Sequence, residues 1–183
     1  MSRYEIRLTK YVACICEGSA ESAVIERLLQ EDKLIFTNKN LLDNEIIRRT
    51  NSKDFEMKYL SREFSEKVTI LRILDSRREK FKISKAYENK VGSVINIITA
   101  PEIEMLIVLS EGRYDDFKKS KMKPSDYCKV VLKMKRVKTY NFVMNYFSDV
   151  DKLINAINEY HRISYIHVDE YCLYDLLKYN HTS

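Results

Sequence analysis

The chain is poor in the residues that break and loosen a backbone, with three glycines and two prolines in 183 residues. Such sparse punctuation excludes Gly/Ser-rich or Pro-rich linkers and points to a chain built mainly from regular elements. No apolar run approaches the roughly 18 residues of a membrane span, and the opening MSRYEIRLTK lacks the apolar core of a secretory signal. The expectation is a cytoplasmic protein with no membrane partner. Cys14, Cys16, Cys128 and Cys172 form neither a CxxC pair nor a small-domain disulfide spacing, so they read as reduced thiols packed like small hydrophobes. His161, His167 and His181 come late and without the close spacing of a zinc site, which leaves a centre on Cys172 and His167 as a weak reading. A Walker phosphate loop, a dinucleotide glycine fingerprint and a G-x-S-x-G turn are all missing. ATP hydrolysis, hydride transfer and serine-hydrolase chemistry therefore lack their hallmarks.

What the chain does hold is charge and aromatic surface. Lys and Arg number 32 against 27 Asp and Glu, and there are thirteen tyrosines and seven phenylalanines. A surplus of five positive charges points to a phosphate-rich partner only where it is clustered. Two clusters stand out. SRREKFKISK, residues 76–85, offers Arg77, Arg78, Lys80 and Lys82 to phosphates and Phe81 to a base. KKSKMKPSDYCKVVLKMKRVK, residues 118–138, carries Lys133, Lys135 and Arg136, partly along one expected helix. Either run is equally readable as an ordinary solvated face.

The length suits a single domain, and the order of its elements argues for α/β. An apolar strand closes near Cys16, followed by Glu17 and Gly18, and a helix from a capping Ser19 places Ala23, Val24, Ile25, Leu28 and Leu29 on one stripe. KLIF reads as a short strand and NKNLLDNEIIRR as a helix, while residues 51–66 are ambiguous. KVTILRILDS and GSVINIIT read as strands, the first ending at Asp75. APEIEMLIVLSEG reads as a helix with Pro101 at its first position and Gly112 just past its end. Beyond it the chain reads as helical: two helices divided by Pro124, one opened by a Ser148–Asp151 capping pair, a late strand at YIHV and a closing helix over DEYCLYDLLKYN. This divides the chain into an α/β core over 1–120 and a mainly helical extension over 121–183 packed on the same domain.

In a mostly parallel sheet flanked by helices, ligands collect outside the carboxyl ends of the strands, where both Glu17 and Asp75 fall. If their strands are neighbours, the two carboxylates repel and a divalent cation relieves them. Mg2+ (or Mn2+) suits such a pair, because it needs only one or two carboxylates besides water and substrate phosphates. Phosphoryl transfer or phosphodiester cleavage is the matching chemistry. Each acid also has a plainer reading: Glu17 as a strand-end charge, Asp75 as a turn former, and Glu21, Glu102 and Glu104 as first-turn helix charges.

ACICEGSAESAVIERLL and ILRILDSRRE together resemble the two motifs of the TOPRIM fold, an apolar strand ending in Glu-Gly before a helix and a later strand ending in Asp-x-Asp. The resemblance covers about residues 10–120 and is closest to the small RloB-like and abortive-infection branch related to the OLD nucleases, whose start Glu17, Gly18 and Glu21 match. TAPEIEMLIVL resembles a later element of that branch, with Glu104 in its acidic position. The resemblance implies a nuclease or phosphotransfer subunit acting on DNA or RNA in phage defence, with Glu17 and Asp75 catalytic and Glu17, Asp75 and Glu104 holding the metal. The second aspartate is replaced by Arg77, a permanent cation where a ligand is expected, so the resemblance implies a one-metal site at most. The alternative is a catalytically silent TOPRIM-like module that binds nucleic acid or a protein partner, with a second copy of the chain among the partners this pattern allows.

Overall fold

A computed structural model describes residues 5–167 and 169–178. Four parallel strands form one sheet in the order β2-β1-β3-β4, with β1 at Tyr11–Cys16, β2 at Ile47–Arg48, β3 at Val68–Leu74 and β4 at Val91–Ile98. β1 and β3 are the inner strands, and their near-continuous apolar sequences reflect burial on both faces. The period of two divides them: Val12, Cys14, Cys16, Leu71 and Ile73 enter one core, whereas Ala13, Ile15, Val68 and Ile70 enter the other.

The larger core is helical. Helix α1 (Ser19–Gln30) buries Ala23, Val24, Ile25, Leu28 and Leu29, the stripe expected from the sequence. It shares that core with α3 (Met105–Ser110), α5 (Pro124–Val130), α6 (Tyr140–Tyr146) and α7 (Val150–Ile163), while α4 (Tyr114–Ser120) packs through Tyr114 and Phe117. The smaller core lies under α2 (Ser52–Phe55), its π-helical continuation Glu56–Leu60, and the extended segment 78–83, which contributes Phe81 and Ile83. Among the described residues no helix is long and apolar enough to cross a membrane.

Several expectations need correction. KLIF contributes only an isolated bridge, Leu34 to Leu177, because the chain turns away at Phe36 into two 3-10 turns, Asn38–Asn40 and Leu42–Asn44. Those turns and β2 replace the helix expected over NKNLLDNEIIRR. The third helix opens at Met105 rather than Pro101: Ala100–Pro101 is a cis peptide, Glu104 is the N-cap, and the Glu102 carboxylate instead accepts from Ser125 N at 2.9 Å, at the start of α5. Ser19 is the first residue of α1 and Gly18 its N-cap, and α7 is capped by Asp149 rather than Ser148. The closing helix shrinks to a 3-10 turn at Leu173–Leu176, with Tyr179 and Asn180 outside the described residues. Tyr165–His167 form no strand, and Val168 lies outside the described residues.

The scarcity of glycine has a visible consequence. Asp32, Asp43, Asn44, Lys121, Lys133 and Arg136 all adopt positive φ. Asp32 closes α1 in a Schellman arrangement, with Asp32 N on Leu29 O and Lys33 N on Leu28 O. Gly112, at φ 63°, closes α3 the same way, with its own N–H on Leu109 O and Arg113 N on Val108 O.

Candidate functional site at the carboxyl edge of the sheet

The crossovers decide where a ligand can sit. From β1 the chain leaves toward the larger core through α1, and from β3 it leaves toward the smaller core through segment 78–83. Two neighbouring parallel strands whose exits diverge open a crevice at their carboxyl ends. Glu17 and Asp75 are the residues on its two lips. Parallel pairing runs one residue past β1, with Glu17 N donating to Ile73 O at 3.1 Å, so Glu17 is held by the sheet rather than by a loop. Its carboxylate then accepts Asp75 N at 3.1 Å, tying the two strand ends together.

Glu17 stands between two electrostatic regimes. Toward β2, Arg49 reaches Glu17 Oε1 at 3.3 Å and Glu79 at 2.5 Å, while Glu79 also binds Arg72 at 2.7 Å. Arg72 is buried in the middle of β3 at 3% exposure, stacked over Phe81 and within 3.4 Å of Asn96 on β4. On this side Glu17 and Glu79 each have a guanidinium.

Toward α1 and α3 the balance reverses. Glu21 and Glu104 are buried, at 7% and 4% exposure, in a group that also includes Glu17, Asp75 and Glu102. Burial pushes the Glu21 carboxyl above its ordinary range, and the charges of Asp75 and Glu17 add to that. Burial likewise raises Glu104, to about 7, with Lys138 opposing and Glu102 and Glu21 reinforcing. Glu17 is raised by burial too; the Asp75 amide works against this, and the charges of Asp75 and Glu79 support it. Among the described residues the cation that acts most on Glu21 and Glu104 is Lys138, which is exposed and 3.4 Å from Glu102.

Gly18 serves this acidic side. Its φ of −135° is open to any residue, but a Cβ there would stand 2.6 Å from Glu21 Oε2. The glycine is therefore a gap through which Glu21 folds back over the start of its own helix. Outside the crevice, a cleft of about 960 Å³ runs from Glu17, Gly18 and Ser19 past Arg48 and Arg49 to Tyr140.

The structure thus brings Glu17 against Asp75, places Glu21 within electrostatic reach of both, and sets Glu104, at a helix N-cap, within reach of Glu21 and Glu102 rather than of the Glu17–Asp75 pair itself. It does not bring the expected phosphate binders with them. Arg77 turns to Glu170, with Nε 2.6 Å from its carboxylate. Lys80 and Lys82 alternate outward from segment 78–83 while Phe81 packs on Phe55 and Arg72, so Phe81 is unavailable to a base. Arg78 is exposed beside them. Lys133, Lys135 and Arg136 follow α5 in an irregular segment rather than on a helix, since Lys133 and Arg136 take positive φ. Arg49, Arg72, Glu79 and Lys138 were not expected at the site; Arg49 is legible only once β2 is known to pair beside β1.

The donor set bears on a metal. Among the described residues no three His, Cys, Asp or Glu side chains are close enough to enclose an ion by themselves. A Glu17–Asp75 pair with water and a substrate phosphate completing the shell is compatible with that spacing, and the under-compensated charge beside it favours a cation. Cys172 lies 3.7 Å from His161, and His167 packs on Tyr165 instead. Fold and site define an α/β domain with an acidic crevice at the switch point of a parallel sheet. No protein-family model matches the chain, and no curated protein or solved structure matches it either.

Proposed function

We propose that the chain is a TOPRIM-like, RloB-like domain that binds one Mg2+ or Mn2+ at Glu17 and Asp75 and acts on the phosphodiester backbone of DNA or RNA. The observation that carries this reading is the pairing of Glu17 and Asp75 across the switch point, joined by the Asp75 N–H to Glu17 Oε2 hydrogen bond, beside the buried Glu21 and Glu104. When bound, the cation supplies charge neutralisation for a phosphate entering an otherwise repulsive crevice. Glu17 and Asp75 hold it, and Glu104, whose carboxyl is raised to about 7, is suited to hold or release a proton near neutrality. Arg48, lining the adjoining cleft, offers a guanidinium fork to a phosphate, while Arg49 is engaged by Glu17 and Glu79. Arg77 in place of a second aspartate keeps the reading to one metal.

The test is cleavage of end-labelled single- and double-stranded DNA and RNA with Mn2+, against Glu17→Gln and Asp75→Asn variants of verified fold. Cleavage by the wild type and its loss in both variants is the expected result. Equal cleavage by all three proteins overturns the assignment. Nucleic-acid binding without cleavage in any of them moves the chain to the catalytically silent reading, which the Arg77 substitution favours.

A further inference from the structure

A second cleft, of about 390 Å³, opens beyond the carboxyl end of β4, and its lining differs in kind from the acidic crevice. Tyr114, Phe117 and Tyr165 give it aromatic walls, Lys118 and the Glu170-paired Arg77 carry its cationic groups, and among the described residues no carboxylate lines it. Tyr160 anchors its inner side by donating a hydrogen bond to the Ala100 carbonyl. Tyr165 is 84% exposed, more than any other large hydrophobic residue among those described, and His167 packs edge-on against it at 5.2 Å between ring centres. Lys118 lies 5.5 Å from the centre of the Tyr114 ring, so an ammonium and an aromatic face are offered side by side. Flat apolar walls with cations and without acids suit a ligand that is aromatic and anionic together. A nucleotide has both properties.

The placement narrows this further. Arg77 lines the cleft and stands two residues from Asp75, a separation that extended chain spans in at most about 7 Å. A strand with one phosphate at Glu17 and Asp75 would bring the base of a near neighbour to this cleft. We infer that the cleft formed by Tyr114, Phe117, Tyr165, Lys118 and Arg77 is a base-stacking subsite for single-stranded nucleic acid, taking an unpaired base against the tyrosines with its phosphate on Lys118. The inference rests on the nucleic-acid reading above and adds that the substrate is single-stranded next to the crevice. Arg77, its charge met by Glu170, serves here as a fixed wall of the cleft and leaves the phosphate to Lys118.

The experiment uses the full chain with Ca2+ in place of Mg2+ or Mn2+, so that the crevice is neutralised while cleavage is suppressed, with fluorescein-labelled single-stranded DNA and RNA oligonucleotides and their fully paired duplexes. The Kd of each is read by anisotropy, and 5-iodouracil-substituted strands are photocrosslinked and mapped by mass spectrometry. Tyr165→Ala is expected to weaken single-strand binding about tenfold, as the loss of one stacked base does, and Tyr165→Phe to restore it. Lys118→Ala is expected to weaken binding and lower its salt dependence, with crosslinks falling on Tyr114 or Tyr165. Unchanged affinity in Tyr165→Ala, crosslinks only elsewhere, stronger binding to duplex, or no binding with Ca2+ present would each overturn the inference. The two readings fail separately. Metal-dependent cleavage lost in Glu17→Gln but untouched in Tyr165→Ala removes the subsite alone, and single-strand stacking without cleavage removes the nuclease alone.

Discussion

The two flanks of Glu17 are built from the same residue types and behave as opposites. Toward β2 the Arg49–Glu79–Arg72 chain alternates sign, so each carboxylate is met by a guanidinium and the network stops on Asn96 of β4. Toward α1 and α3, Glu21 and Glu104 are more deeply buried than Glu79 and are opposed chiefly by the exposed Lys138. A folded chain gains nothing in stability from two acids that repel in a desolvated place. The difference teaches that the first flank is balanced within the sheet, whereas the second leaves its buried acids short of positive charge, the condition on which the proposed cation site rests.

The largest expected effect breaks the balanced flank. Removing Arg72, a buried cation, leaves Glu79 with only the solvent-exposed Arg49, and Arg72→Ala should cost about 3 kcal/mol in urea unfolding. A loss below about 1 kcal/mol would mean that the network is ornamental to the β3–β4 pairing.

The next effect has the opposite sign and belongs to the acidic flank. The folded chain keeps the Glu104 proton up to about pH 7, while an unfolded carboxyl releases it near 4.5. Between those values the folded state binds more protons, so stability falls as pH rises and the full penalty is present above about 7. Glu104→Gln should therefore stabilise the protein by about 1–3 kcal/mol at pH 8 and leave it nearly unchanged at pH 4. Urea unfolding at the two pH values checks this; equal effects at both would show that burial of Glu104 carries no charge penalty. If Glu104 also faces the metal, saturating Mn2+ should shrink the gain at pH 8.

Smaller effects sharpen the comparison at its boundary. In Gly18→Ala the new methyl displaces the far end of the Glu21 side chain, not backbone, so stability should move by less than about 1 kcal/mol. Mn2+ affinity should nevertheless fall, because Glu21 can no longer lie over the crevice; an unaltered titration would detach Glu21 from the site. Arg49→Ala removes two ion pairs, to Glu17 and Glu79, whose arginine side chain is 65% exposed, together worth about 1 kcal/mol or less. It should tighten Mn2+ binding, since Glu17 then has no competing cation.

How much of this was legible in the sequence depended on how much of each signal was local. β1, α1, β3 and β4 could be read because their apolar patterns are long enough to set a period, and the α1 stripe is buried as expected. β2 could not, since two residues carry no period, and the apolar pairs in NKNLLDNEIIRR imitate a helix. Glu17 and Asp75 were legible because strand ends in a parallel sheet share an edge. Arg49 and Glu79 were not, because their roles depend on β2 pairing with β1 and on segment 78–83 crossing the smaller core. Runs of lysine and arginine suggested phosphate contacts that side-chain direction redistributes: Arg77 to Glu170, Phe81 into the core, and Lys80 and Lys82 outward.

The central claim is that Glu17 and Asp75 form one cation site, and calorimetric titration of Mn2+ and Mg2+ into the wild type, Glu17→Gln and Asp75→Asn tests it most directly, with thermal unfolding run alongside to confirm the fold. The account predicts one bound cation per wild-type chain and none in either variant, with all three proteins folded. Wild-type binding that persists in both variants, or no binding by the wild type, would contradict it.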